Sequence, residues 1–75
     1  MRAKRAVIGG DHMFTSDADF DGMIGGDVIV AKGVAVTLHG LVNGDLLVRS
    51  GATVRLGAMV GGQVINQGGT VLTIA

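Results

Sequence analysis

An apolar side chain returns at every sixth position through most of this chain: Ile24, Val30, Val36, Val42, Val48, Val54 and Val60, then Leu72, with Asn66 as the polar interruption. A helix, with its 3.6-residue period, scatters such positions around a cylinder, whereas a pleated strand sends alternate residues to one side. The six-residue phase therefore predicts short strands with superposed inward faces. Two further columns share its parity and complete the predicted core: Val28 with Leu46 and Val64, and Leu38 with Leu56 and Ile74.

A second repeat sets the length of one turn. Val7-Ile8-Gly9-Gly10-Asp11, Met23-Ile24-Gly25-Gly26-Asp27, Leu41-Val42-Asn43-Gly44-Asp45 and Met59-Val60-Gly61-Gly62-Gln63 begin 16, 18 and 18 residues apart. A period this short marks one structural coil repeated along an axis. It divides the chain into a basic N-terminal tail, 1–6, and one solenoid domain, 7–75, with coils at 7–22, 23–40, 41–58 and 59–75. Glycine recurs at Gly26, Gly44 and Gly62, at Gly33, Gly51 and Gly69, and at Gly22 and Gly40 with Ala58 in third place. Three corners per coil, each taken as a positive-φ turn that glycine adopts freely, predict three short strands per coil. The expected architecture is all-β: a short parallel β-helix, or triangular β-solenoid, of about four coils and ~18 residues per coil. The crossover preference of parallel strands favours a right-handed winding.

The outward positions differ from face to face. Ala35, Thr53 and Val71, with Thr37, Arg55 and Thr73, make a mostly small and polar face suited to water. Val7, Met23, Leu41 and Met59 line up on one side of the Gly-Asp corner, and Met13, Ile29, Leu47 and Ile65 on the other. Two adjacent external columns of large apolar residues exceed scattered exposure and predict a lateral interface. The first and last coils are atypical, with Phe14 and His12 where the next coil has valine, and Asn66, Gln63 and Gln67 in the last. No helix, charged loop or proline is expected to cover the strand edges beyond Ile74, so the ends are expected to meet another subunit through Phe14, Phe20, Asn66, Leu72 and Ile74.

Composition narrows the class further. Cysteine, proline and glutamate are absent, so neither a disulfide framework nor a thiolate metal site supports so small a domain, while 14 glycines among many β-branched residues suit strands and corners. Six basic and six acidic residues cancel, which removes any whole-molecule field for nucleic acid. No basic stripe or set of stacking aromatics points to nucleic acid either. Arg2, Lys4 and Arg5 open the chain, and a membrane-surface contact through them is the minor alternative to a solvated tail. With no run long enough for a signal peptide or a membrane span, the expected location is cytoplasmic.

The valine-rich, glycine-cornered repeat, as in Leu41-Val42-Asn43-Gly44-Asp45-Leu46-Leu47-Val48, resembles the bactofilins over nearly all of the chain from Val7 onward. That resemblance implies a right-handed triangular β-helix and nucleotide-independent, end-to-end polymerisation into filaments or scaffolds, in some cases at a membrane. The six-residue phase is also similar to that of left-handed hexapeptide-repeat acyltransferases. Against these stand the bulky Leu38, Leu56 and Ile74 column and the missing loops that would carry a catalytic histidine.

Candidate chemistry is sparse. Asp17, Asp19, Asp21 and Gly22 copy the opening of a calcium-binding loop, but Val28 stands where the bidentate glutamate belongs, so a solvated strand face outweighs a metal site. Asp11, Asp27 and Asp45 stack in one column and need compensation for their like charges, either from corner N–H groups bonded to the side-chain oxygens or from a cation. His39 shares a column with Asp21, without a nucleophile beside them. His12 is expected to point inward at an end, where its charge could make assembly pH-sensitive. No glycine cluster forms a phosphate cradle, and no cofactor is expected. The expected function is a non-enzymatic, self-assembling, homo-oligomeric or polymeric scaffold; the alternative is a small immunity- or adaptor-type module that docks or neutralises one cognate protein as a dimer or small oligomer.

Overall fold

The computed structural model describes residues 4–74, with side-chain environments for 7–74. Its elements are all strands: β1 (Lys4–Ile8), β2 (His12–Phe14), β3 (Ala18–Ile24), β4 (Val28–Val30), β5 (Ala35–Val42), β6 (Leu46–Val48), β7 (Thr53–Val60), β8 (Val64–Asn66) and β9 (Thr70–Thr73). Odd-numbered strands form one sheet in the order β1-β3-β5-β7-β9, and even-numbered strands form another in the order β2-β4-β6-β8. Every pairing is parallel and joins a strand to its equivalent one turn away. The chain is a β-solenoid of about four turns, with successive turns about 18 residues apart.

Alternation decides what lies inside. Ile24, Val28, Val30, Val36, Leu38, Val42, Leu46, Val48, Val54 and Leu56 are buried between the sheets, and among the described residues no polar or charged one is buried with them. Val34 and Ala52 are buried as well. They carry the same even parity as Val36 and Val54, which marks them as inward in the sequence too.

Hydrogen bonding merges two of the three expected sides. The β5 strand runs unbroken through Gly40, which holds φ at +109° while remaining paired between Gly22 and Ala58. A side chain at Gly40 would collide with the Gly22 carbonyl, so the bend requires glycine for both conformation and space. Each middle turn therefore has one long strand bent within its ladder and one short strand, not three separate strands.

Corner glycines divide into two kinds. Gly33 and Gly51 have φ of +72° and +74°, as expected of left-handed corners. Gly26, Gly44 and Gly62 do not have positive φ. They are glycine because each is pressed against the preceding turn: a Cβ at any of the three would strike an aspartate Oδ1 and lie within 2.8 Å of corner backbone.

Two register details depart from the sequence columns. The odd sheet already begins at Lys4, which pairs with Phe20, so the expected boundary between tail and solenoid at residues 6 and 7 falls inside β1. In the last turn, Asn66 lies opposite Val48, but Thr70 lies opposite Thr53, so the intervening corner is one residue short. Asn66 closes this corner by accepting from the Gly69 N–H at 2.7 Å and donating to the Gly69 carbonyl at 3.0 Å, and the positive φ moves to Gly68. Because strand side chains alternate, the slip exchanges the faces of β9. Val71, opposite Val54, packs on the core, whereas Leu72, opposite Arg55, points outward and is 48% exposed. Leu72 and Ile74 are thus corrected from inward to outward positions, and Val71 and Thr73 leave the polar face.

Candidate assembly surfaces

The Gly-Asp corners form a ladder of their own. Asp11 Oδ1 accepts the Asp27 N–H, Asp27 Oδ1 accepts the Asp45 N–H, and Asp45 Oδ1 accepts the Gln63 N–H, each at 2.8 Å. These are bonds between turns, unlike the local Asx-turns expected of the column. One residue earlier, Gly26 donates to the Gly10 carbonyl, Gly44 to that of Gly26 and Gly62 to that of Gly44, at 3.0 to 3.1 Å. The direction then reverses, with His12 donating to Asp27, Val28 to Asp45 and Leu46 to Gln63 through backbone carbonyls. With Gly25, Asn43 and Gly61 donating to the Ile8, Ile24 and Val42 carbonyls, each of the three later corners directs three successive N–H groups toward the preceding turn, and the Asp11, Asp27 and Asp45 corners present a carboxylate to the next. Asp17 works in the same way in the shortened first turn, where its Oδ1 accepts the Ala35 N–H at 2.9 Å. Its signal was its place one period before Ala35.

Two apolar ladders flank this corner on the outside. Val7, Met23, Leu41 and Met59 are register partners along the odd sheet, and Met13, Ile29, Leu47 and Ile65 along the even sheet. Leu41, Ile29 and Leu47 are half-buried by their ladder neighbours, while Val7 is 78% and Met59 72% exposed.

The two ends are unlike. At the first turn Phe14 is buried, and it meets His12 and Phe20 edge-on with ring centroids 4.6 and 6.0 Å away. His12 lies inward, opposite Val28, and is half-buried. At the last turn Val64 continues the column of Val28 and Leu46 but is 44% exposed, because no further turn covers it among the described residues. Asn66 faces the same end, occupied by its bonds to Gly69. Ile74 lies outward, close above Gly57, and its backbone N–H donates to Leu56.

No protein-family model, curated protein or solved structure matches this chain.

The remaining candidates for chemistry are dispersed. Among the described residues no three acidic or histidine groups come together to hold a metal, and Asp17 is already bonded to Ala35. Asp21 and His39 are register partners without a hydrogen bond between their side chains; the His39 ring instead fills the space above Gly57, where a Cβ would lie 2.8 Å from Nδ1. The surface contact expected of Arg2, Lys4 and Arg5 falls outside the described side chains. Among the described residues no helix is long and apolar enough to cross a membrane.

Proposed function

We propose that this chain is a non-enzymatic structural subunit that associates with copies of itself through its solenoid ends, and secondarily through its external apolar ladders. The carrying observation is the last turn, where β8 and β9 have no partner on their outer edge among the described residues and Val64 leaves the end of the core column open to water. Open strand edges recruit further strands, because their backbone donors and acceptors are already aligned for pairing. The likeness to bactofilins supports the same reading, and a cytoplasmic location is part of this proposal. Light scattering and negative-stain microscopy across a concentration series test the proposal. Particles that lengthen with concentration support it, and a monomer at every concentration refutes it.

The docking of a cognate protein is the second reading, favoured by the exposed methionines Met13, Met23 and Met59, whose flexible side chains adapt to varied surfaces. A fixed dimer that never elongates favours that reading.

A further inference from the structure

The Gly-Asp lock is made three times within the chain, and its receiving half is present a fourth time without an occupant among the described residues. Gly26, Gly44 and Gly62 lie against the preceding lock, where a Cβ would strike it, so glycine is required at all three, whereas the place before them is tight at Gly25 and Gly61 but is filled by Asn43 in the middle corner. At Gly9 and Gly10 a Cβ would meet nothing within 4 Å, and neither residue has positive φ. The Gly10 and Asp11 N–H groups, equivalents of the donors that close the other three locks, have no acceptor among the described residues.

The last turn carries the complementary half. By register the Gly62 carbonyl stands in the accepting place of Gly44 and the Val64 N–H in the donating place of Leu46, while Gln63 follows Asp45 in its column with a side-chain oxygen one methylene further out. By the same equivalence the first corner's outer edge offers the Gly9, Gly10 and Asp11 donors and the Asp11 carbonyl; the last corner's outer edge offers the Val60 and Gly62 carbonyls, the Gln63 side chain and the Val64 donor. Only a head-to-tail arrangement matches these sets. A first-to-first contact opposes donors to donors and Asp11 to Asp11. The uncharged Gln63 also interrupts the column of carboxylates where Asp11 of a second copy would follow.

Building on the assembly reading above, we infer that the Gly9-Gly10-Asp11 corner is a docking site for the Gly62-Gln63-Val64 corner of a second copy. Growth is then polar, with Gly62 accepting from Gly10, Gln63 Oε1 accepting from Asp11, and Val64 donating to the Asp11 carbonyl.

Gly10→Ala in the full chain separates this contact from folding. The added methyl has open space within the subunit, so the circular-dichroism melt measured at concentrations where the wild type is dissociated is expected to be unchanged. Sedimentation velocity is expected to show a monomer, with end-to-end affinity lowered at least about tenfold. Mixed at low ratio with wild type, the variant is expected to shorten assemblies, because its last corner still docks and its first corner then stops growth. A variant that assembles like wild type overturns the corner contact, one that stops at a dimer overturns the polarity, and one that unfolds overturns the open space at Gly10. A wild-type chain that stays monomeric overturns the assembly reading itself.

Discussion

Asp27 occupies the middle of the corner ladder, and two substitutions there separate its hydrogen bond from its charge. Its Oδ1 accepts the Asp45 N–H at 2.8 Å, while its own N–H donates to Asp11 at the same distance. Carboxylates one turn apart are separated by about 5 Å, so each neighbour repels Asp27 by about 0.8 kcal/mol in water, or roughly 1.5 kcal/mol from both. Against this, the accepted bond contributes about 1 kcal/mol net, somewhat more for an ionised acceptor. Asp27→Asn keeps the acceptor and removes the repulsion, so it is expected to stabilise by about 0.5 to 1 kcal/mol at low salt. Asp27→Ala removes both and is expected to change stability little. The contrast between the variants, about 1 kcal/mol, corresponds to roughly 4 to 8 °C in melting temperature for a domain of this size. Thermal melts by circular dichroism at about 0.01 M and about 1 M salt, where the Debye length falls from roughly 30 to 3 Å, provide the measurement. The asparagine advantage over wild type should shrink with salt, while its advantage over alanine persists. An alanine variant as stable as the asparagine variant at both salt concentrations would refute the lock.

The two kinds of corner glycine should part under asparagine substitution, which tolerates positive φ but still adds a Cβ: Gly51→Asn, whose Cβ would make only ordinary contact with Gly33 at 3.8 Å, is expected to cost under about 1 kcal/mol, whereas Gly44→Asn meets Asp27 and Gly26 and should cost about 1 to 3 kcal/mol by urea denaturation. The β9 slip predicts that Leu72→Lys leaves the melt within about 0.5 kcal/mol of wild type, while Val71→Lys lowers it clearly; the reverse ranking returns β9 to the register of the sequence columns. Leu47→Asp, in the external ladder between Ile29 and Ile65, is expected to weaken side-by-side association in sedimentation while costing about 0.2 to 1 kcal/mol in folding; unfolding instead places Leu47 inside the core.

The coil length, the parallel stacking and the core column from Ile24 to Val54 were legible because each is a local period multiplied over turns. One residue pattern seen several times leaves little freedom in how side chains divide between inside and outside. The same multiplication put Val7 with Met23 and Met13 with Ile29 on the external ladders, despite the shorter first turn. Legibility failed where the period was interrupted. A corner one residue short between Asn66 and Thr70 looks negligible in an alignment of columns, yet it turns Leu72 outward and Val71 inward.

By itself, then, the sequence determined the period and the inward column from Ile24 to Val54, because burying apolar residues on alternating strands of unbroken period needs only their spacing. Tertiary structure alone decided why Gly26, Gly44 and Gly62 are glycine, what the aspartates hold, and where β9 changes face. Those depend on the distance between one turn and the next, which no single turn contains: a Cβ that is free at Gly10 is forbidden at Gly26 because Gly10 and Asp11 of the preceding turn lie against it.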